Sequence, residues 1–291
     1  MNNEYGTNIE SASYIGNPFD NTVMYLTKKV EYLVSNLRSC KNCLVFCDES
    51  VQIDEDINEK HTIIKSNNPI FEYAQYVTEL ANRVENERLK KKYTLTNQGY
   101  YIGEDVIVGD NAYIEPLCFI DHNVIIGNNA RILSGAKIRN AIIGDNFIAG
   151  ENSVIGSYAF TMARDESDKL VRIPSLGKLH IGNNVEIGTQ CNISVGTAGN
   201  THINDYVKID ALTYIGHDTI LQNNVEVCSG AIIGGYNTVK DNVIIGLNAT
   251  IRNRLIIDDN SRVGMGSVVT KLVSPNTTVI GNPAKILENN P

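Results

Sequence analysis

Residues 203–269 read INDYVK IDALTY IGHDTI LQNNVE VCSGAI IGGYNT VKDNVI IGLNAT IRNRLI IDDNSR VGMGSV V when they are divided into blocks of six. Every block opens with Ile, Leu or Val, so an aliphatic residue recurs at each sixth position from Ile203 to Val269. A helix repeats every 3.6 residues and an alternating strand every two, and neither explains this period. It is typical of a parallel β-helix in which each block supplies one short strand and one turn.

The other positions of each block support the same interpretation. Gly often follows the aliphatic residue, as at Gly216 and Gly246, and a small or β-branched residue often stands two positions before it, as at Thr213 and Ala249. The aliphatic side chains would fill a prism, the small ones its corners, and Gly or Asn would make turns in left-handed backbone conformations. Three blocks would close one triangular coil, so that each residue lies directly above its equivalent three blocks earlier.

The period sets the expected domain boundaries. It begins near Ile102, so residues 99–273 are predicted to form the β-helix, preceded by a small α/β domain (1–98) and followed by a tail (274–291) that leaves the prism. Segment 157–180 abandons the period and carries charge, Pro and Gly, so we expect an excursion loop there. A helical pattern that starts at Pro69 is expected to run to about Lys92 and to close the first domain.

Composition excludes several classes of protein. The chain has 25 Lys+Arg against 33 Asp+Glu, a formal net charge of −8, which argues against a general nucleic-acid or membrane-surface binder. No apolar run is long enough to span a membrane. Met1–Ser11 is polar and lacks the pattern of a secretory signal. We therefore expect a cytoplasmic protein.

The cysteines raise the question of a metal site. Cys40, Cys43 and Cys47 have the spacing C-x2-C-x3-C, which resembles part of a zinc cluster. However, no fourth Cys or His lies nearby in the sequence, and CLVFC (43–47) has the pattern of a buried strand. We predict no metal site, with zinc as the alternative, and no disulfides.

One of the five histidines has a setting suited to catalysis. His217 follows Ile215–Gly216 just past a predicted turn, and Gly235 lies three blocks further on, one full coil directly above it. A Gly there leaves room for a ligand and exposes a backbone N–H. Acyl transfer needs a base for the attacking group and a donor for the oxyanion, which His217 and Gly235 could supply. The alternative is a hydrogen-bonded surface histidine with no catalytic role.

The stretch DALTYIGHD (210–218) resembles the active-site segment of the UDP-3-O-acyl-glucosamine N-acyltransferases, which are hexapeptide acyltransferases with a left-handed parallel β-helix. The resemblance implies a left-handed coil and a homotrimer with sites between adjacent prisms. It also implies that His217 is the general base, that Asp210 supports the amine and the base, and that the Gly235 N–H holds the oxyanion. The expected fold is mainly β, a left-handed β-helix with a small α/β amino-terminal domain.

The resemblance extends to substrate and cofactor residues. Tyr25 and Tyr32 resemble the aromatic pair that holds the nucleotide base, Tyr214 lies within the active-site stretch, and Phe160 in the excursion would contact the sugar or anchor its loop. The tail GNPAK (281–285) is similar to that of sugar acetyltransferases that use acetyl-coenzyme A, and the family's helical extension is expected to be absent. Arg254 replaces a second family histidine and would bind a cofactor phosphate or be structural. The implied cofactor-binding residues are Gly235, Arg254, Gly264, Pro283 and Lys285.

The sequence therefore predicts an N-acyltransferase that moves an acyl group, acetyl in the simplest case, from coenzyme A to the amine of a UDP- or dTDP-linked amino sugar. Two alternatives stay open: a sugar O-acetyltransferase, and a non-catalytic β-helix protein that binds a nucleotide sugar. A β-helical carbonic anhydrase is excluded because positions 181 and 222, where histidine partners of His217 would be expected, hold Ile and Gln.

Overall fold

A computed structural model describes residues 8–9 and 11–287 of the chain. Most of Met1–Ser11 and the end of the tail after residue 287 lie outside the described residues. The chain divides into an amino-terminal unit (Met1–Glu87, Tyr158–Gly177 and Thr197–Gly199) and a prism unit (Arg88–Ser157, Lys178–Gly196 and Asn200–Pro291). The excursion, which the sequence analysis placed in the β-helix domain, is thus part of the amino-terminal unit. No described helix is both long and apolar enough to cross a bilayer.

The prism unit is a parallel β-helix with three sheets, as the six-residue period predicts. Its strands are parallel except for the antiparallel pairs at its two ends. Sheet 1 contains Thr94–Leu95, Tyr101–Ile102, Phe119–Ile120, Lys137–Ile138, Val154–Ser157, Asn192–Ser194, Tyr214–Ile215, Ile232–Ile233, Thr250–Ile251 and Val268–Val269. Sheet 2 contains Ile107–Val108, Ile125–Ile126, Ala141–Ile143, Leu179–Ile181, Thr201–Ile203, Ile220–Leu221, Thr238–Val239 and Ile256–Ile257. Sheet 3 contains Tyr113–Ile114, Arg131–Ile132, Ile148–Ala149, Glu186–Ile187, Lys208–Ile209, Glu226–Val227, Ile244–Ile245, Arg262–Val263, Thr278–Ile280 and Lys285–Ile286.

The register confirms the predicted coil length. In sheet 1 Tyr214 pairs with Ile232, and Ile232 with Thr250, so residues three blocks apart are neighbours. The aliphatic residue that opens each block points inward and is almost fully buried, as at Ile215 and Ile233. Each such side chain stabilises the fold by roughly 1.5–3 kcal/mol relative to an exposed one. The prism core is therefore a stack of Ile and Val layers, which explains the scarcity of large aromatic residues.

An asparagine ladder runs along the corner that follows sheet 2. Asn224, Asn242 and Asn260 all have left-handed φ angles, 58°, 60° and 57°. Asn tolerates this conformation better than other residues with a side chain because its amide bonds locally. The Asn224 Nδ2 donates to Asn242 Oδ1 at 2.8 Å, and the Asn242 Nδ2 donates to Asn260 Oδ1 at 3.1 Å. One residue type thus makes the turn and joins successive coils.

The predicted exit of the tail at Ser274–Pro275 is wrong. Thr278–Ile280 pairs in parallel with Arg262–Val263, and Lys285–Ile286 folds back on it as an antiparallel strand. Val279 is buried against the last coil. The tail therefore covers the end of the prism, where an open coil would otherwise expose unpaired strand edges and apolar core.

The amino-terminal unit is built on four parallel strands, β1 (Ser11–Ala12), β2 (Thr22–Leu26), β3 (Leu44–Asp48) and β4 (Thr62–Ser66), in that order across the sheet. A 3-10 helix (Lys28–Ser39) and the helices α1 (Glu55–Asn58) and α2 (Pro69–Arg88) complete it. Helix α2 ends four residues before the predicted Lys92. The excursion is an antiparallel hairpin of Thr161–Arg164 and Leu170–Ile173.

The two faces of this sheet have separate cores. Tyr73 and Val77 of α2 pack with Val23 and Phe46 on one face, together with Ile173 of the hairpin. On the other face, Leu37 of the 3-10 helix and Ile57 of α1 pack with Met24, Leu26 and Val45. Successive residues of β2 alternate between the two clusters, as the pleat of a strand requires.

We expect Asn242→Ala to lower the free energy of unfolding by about 2 kcal/mol, because it places a β-carbon in the left-handed region and removes the ladder bonds. Asn242→Gly keeps the backbone conformation, so its loss of free energy of unfolding should be smaller than that of Asn242→Ala by about 1 kcal/mol. Urea denaturation of both variants and the parent measures this difference. Equal losses in the two variants would contradict the role assigned to the left-handed corner.

Candidate active site

His217 lies at a corner of the prism, after strand Tyr214–Ile215 of sheet 1. Its Nδ1 is 2.8 Å from Oδ2 of the next residue, Asp218. The Asp218 side chain is 1% exposed and that of His217 is 16% exposed, so the carboxylate lies inside and the imidazole at the surface. A carboxylate at Nδ1 favours the tautomer that carries its proton there, which leaves the lone pair of Nε2 for a base. The pair thus has the arrangement that a general base requires.

Asp218 is held in turn by the coil below. Its backbone N–H donates to Thr201 Oγ1 at 2.9 Å, and Thr201 is fully buried. Its φ of 55° is left-handed, as at the asparagine corners. This backbone turn carries the Asp218 side chain alongside that of His217, although adjacent residues of an extended strand point to opposite faces.

Gly235 lies against the imidazole, where the stacking of coils predicts it. A β-carbon on Gly235 would lie 2.7 Å from the Nε2 of His217, a distance that a side chain does not tolerate. Gly216 is needed for a similar reason, because a β-carbon there would lie 2.6 Å from the Gly235 nitrogen. Two glycines therefore keep side chains away from the Gly235 amide and the reactive edge of the ring.

The Gly235 N–H lacks the partner that some equivalent amides of the prism have. The Asn223 N–H donates to Asp241 Oδ1 at 2.7 Å and the Glu104 N–H to His122 Nδ1 at 2.8 Å, in each case one coil further on. The Gly235 N–H donates to none of the described residues. A buried N–H without an acceptor is unfavourable, so this amide is disposed to bind an incoming oxygen.

The predicted carboxylate partner of His217 is the wrong one. Asp218, which the sequence analysis did not consider, meets the imidazole. Asp210 lies at the corner after Lys208–Ile209 of sheet 3, where its Oδ1 accepts the Ala211 N–H at 2.7 Å. The two carboxylates therefore belong to different corners of the chain. The sequence contained one signal for the correct partner, because an Asp directly follows His217 at a predicted corner.

The predicted cofactor residues lie in two places. Gly264 follows strand Arg262–Val263 of sheet 3, two to three coils beyond His217, or roughly 10–14 Å along the prism at ~4.8 Å per coil. Lys285 lies two strands further along the same sheet. Pro283 lies between the two strands of the tail hairpin, Thr278–Ile280 and Lys285–Ile286. Arg254 is close to His217 instead, because its guanidinium carbon lies 4.1 Å from the ring centroid of Tyr236. Tyr236 in turn meets the imidazole edge-on, with centroids 5.0 Å apart.

The predicted substrate residues are dispersed. Tyr214 accepts a hydrogen bond from Ser194 Oγ at 3.3 Å. Tyr25 packs against Tyr73 under α2, with ring centroids 5.1 Å apart, whereas Tyr32 is 74% exposed on the 3-10 helix that covers the opposite face of the sheet. The prediction that these two rings form an aromatic pair is wrong, because the sheet separates them. Phe160 is exposed, with Arg172 5.5 Å from its ring centroid.

A polar cavity of the amino-terminal unit offers another place for a nucleotide. Its volume is about 1000 Å³, within the range of ligand sites. The lining includes the aromatic rings of Phe71 and Tyr76, the cations Lys65 and Arg83, three side-chain amides, and the carboxylates of Glu49, Glu72, Glu79 and Glu166. The rings and amides could stack on a nucleoside base and hydrogen-bond to it, whereas the carboxylates outnumber the cations and oppose the binding of phosphates. The sequence analysis did not single them out.

The cysteine cluster has a partner that the sequence did not reveal. Cys40 and Cys43 have sulfurs 3.6 Å apart, and His61 of the neighbouring segment lies beside them. However, His61 Nδ1 accepts the Cys43 N–H at 3.3 Å and Nε2 lies 3.0 Å from Leu37 O, so the main chain engages both nitrogens. Burial raises the pKa of Cys40 to about 12, which favours the neutral thiol. The prediction that this cluster holds no metal stays a prediction.

Comparison with known proteins gives a consistent result. The family model of the bacterial transferase hexapeptide (six repeats) matches residues 105–140. A probable UDP-3-O-acylglucosamine N-acyltransferase 2 of Arabidopsis thaliana, named as mitochondrial, is 34% identical over 45% of this chain and 43% of its own length. The UDP-3-O-acylglucosamine N-acyltransferase of Methylorubrum extorquens (strain PA1) is 30% identical over 40% of this chain and 33% of its own length. The matches thus span less than half of these relatives.

A solved structure supports the fold. The UDP-N-acetylglucosamine acyltransferase of Campylobacter jejuni has a TM-score of 0.58 and 24% identity, over 67% of this chain and 74% of its own. The three parallel sheets, the six-residue period and this neighbour establish a left-handed β-helix built from hexapeptide repeats, as the resemblance implied.

We expect Gly235→Ala to displace the imidazole and to destabilise the protein by about 1–3 kcal/mol, the usual cost of overpacking. In a His217→Ala background the added methyl has room, so the cost should largely disappear. A double-mutant cycle on the free energy of unfolding measures the coupling between the two positions. Equal costs in both backgrounds would show that the methyl does not meet the ring.

Proposed function

We propose that this hexapeptide-repeat protein is an N-acyltransferase that acylates the amine of a nucleotide-linked amino sugar. The observation that carries the proposal is the His217–Asp218 pair facing an amide, Gly235, that has no acceptor among the described residues. The curated relatives at 30–34% identity are named N-acyltransferases of a UDP-linked glucosamine, which supports the acceptor class. The groups proposed for acyl transfer thus lie together at one corner of two successive coils.

The reaction follows from these groups. Nε2 of His217 takes a proton from the acceptor amine as its nitrogen attacks the carbonyl carbon of a thioester. Asp218 stabilises the imidazolium that forms. The Gly235 N–H donates to the oxyanion of the tetrahedral intermediate. The intermediate collapses by breaking the carbon–sulfur bond, and the imidazolium returns its proton to the thiolate, so that an amide and a free thiol leave.

The donor and acceptor are assigned to separate surfaces. We assign the nucleoside base of the acceptor to the cavity with Phe71 and Tyr76, in place of the Tyr25–Tyr32 pair. Acetyl-coenzyme A is the proposed donor, on the likeness of the Gly281–Lys285 tail to that of sugar acetyltransferases. Lys285 is the cation of that tail for a donor phosphate. A homotrimer is proposed on the resemblance of the active-site stretch.

Thiol release from acetyl-coenzyme A in the presence of UDP- and dTDP-linked amino sugars tests the function. We expect one amino sugar to release thiol and to gain an acetyl group by mass spectrometry, and His217→Ala to abolish both. Longer acyl-coenzyme A and acyl-carrier-protein donors, run in parallel, identify the donor. A hydroxy sugar as the preferred acceptor would establish O-acyl transfer. If no donor releases thiol although the protein binds a nucleotide sugar, the protein is a nucleotide-sugar binding protein and not an enzyme.

We expect Asp218→Asn to lower kcat by about 100-fold or more with little change in KM, because the imidazole loses its oriented proton and charge stabilisation. Asp210→Asn should raise the KM for the amino sugar more than it lowers kcat, if Asp210 supports the amine. Steady-state kinetics of both variants separate the two carboxylates. A larger kcat loss for Asp210→Asn than for Asp218→Asn would restore the first assignment.

A further inference from the structure

Two residues from higher coils stack beside His217. The Tyr236 ring meets the imidazole edge-on, with centroids 5.0 Å apart and planes 85° apart. The guanidinium of Arg254, one coil further on, lies over the Tyr236 ring at 4.1 Å. The three side chains form a continuous stack on the sheet 1 corner. Such T-shaped and cation–π contacts are attractive and depend on orientation, so they restrict the rings that make them.

The backbone at these positions is suited to other residue types. Asp218, Tyr236 and Arg254 occupy the same position of three successive coils and have left-handed φ angles of 55°, 60° and 63°. At the next corner the equivalent positions are Asn224, Asn242 and Asn260, the type that this conformation accommodates with least strain. Tyr and Arg are bulky residues that rarely adopt it. Leu117, Tyr206 and Leu212 also adopt it at other corners, so the contacts of the Tyr236 and Arg254 side chains, and not the backbone conformation, distinguish this corner.

We propose that Tyr236 and Arg254 are positioning residues of the acyl-transfer site, with Tyr236 holding the imidazole of His217 against Gly235 and Arg254 holding the Tyr236 ring. The proposal rests on the proposed function. Asp218 fixes the imidazole from Nδ1, and the Tyr236 ring packs against the imidazole with the two planes 85° apart. This packing restricts rotation of the imidazole, so that Nε2 stays at the Gly235 amide. Arg254 acts through Tyr236, which is a different role from direct contact with a donor phosphate.

Four variants test the chain of contacts. Tyr236→Phe keeps the ring, Tyr236→Asn removes it and suits the left-handed corner, and Arg254→Asn removes the cation. Tyr206→Asn is the matched control, because Tyr206 is also left-handed, with a φ of 62°, and follows strand Thr201–Ile203 of sheet 2, at a different corner. Thermal unfolding of each variant identifies any loss of folded protein. The two Asn variants of the stack should be at least as stable as the parent.

We expect Tyr236→Asn to lower kcat by about 10- to 100-fold, the range for a misplaced catalytic group, with KM for both substrates nearly unchanged. Tyr236→Phe should restore most of the activity, and Tyr206→Asn should have no effect. Arg254→Asn should give a smaller kcat loss that disappears in the Tyr236→Asn background, because its action passes through Tyr236.

Nitrogen-15 NMR of the imidazoles, without substrates, supplies a readout that does not depend on turnover. We expect the His217 signals of the parent to show one tautomer with Nδ1 protonated, and those of Tyr236→Asn to shift and broaden. If the parent has no activity with any donor, the proposed function fails while these spectra still decide the positioning role. Unchanged His217 signals and kcat in Tyr236→Asn, or an equal kcat loss in Tyr206→Asn, would overturn the proposal. A raised donor KM in Arg254→Asn that persists without Tyr236 would overturn the part concerning Arg254.

Discussion

The stacking of identical corners in every coil is the constraint on which the rest of the structure depends. Parallel strands only two or three residues long gain little individually, so the coil must turn at the same place in every layer for their hydrogen bonds to continue. Residues with left-handed φ angles, many of them Asn, make these turns, and along the corner after sheet 2 the Asn amides bond from coil to coil. The inward aliphatic residues then lie in vertical rows and exclude water from the prism.

The candidate site is a local departure from this corner pattern. Position 235 is Gly, and the Gly235 N–H has no acceptor among the described residues. At this corner the imidazole of His217, from the coil below, lies at the surface. The backbone bonds between neighbouring coils continue beside it, as from the Gly234 N–H to Ile251 O, so the solenoid holds the corner in place. The small residue therefore gives the site a donor and the space for a substrate.

The parts of the structure that repetition controls were predictable from the sequence. The six-residue period predicted the three sheets and the aliphatic core. Counting one coil onward from His217 predicted that Gly235 lies next to it. Asp218 was missed because a strand pattern sends adjacent side chains to opposite faces, and only the left-handed φ at the corner brings them together. Arg254 was singled out, but its contact with Tyr236 depends on ring orientations that spacing does not specify.

Outside the repeat, proximity in sequence was a poor guide to proximity in space. Tyr25 and Tyr32 are close in the sequence, yet the sheet lies between them, since β2 directs Tyr25 towards α2 while the 3-10 helix covers the other face. His61 is as far from Cys43 in the sequence as one coil of the prism is long, and still contacts it, because β3 and β4 are parallel neighbours joined through α1. In the prism, residues one coil apart are neighbours, and the six-residue period of the sequence predicts this. In the amino-terminal unit the same separation brings contact only through the crossover between β3 and β4. No repeat in the sequence gives the length of that crossover, so the residues proposed to bind a nucleoside base could be found only from the cavity beside α2.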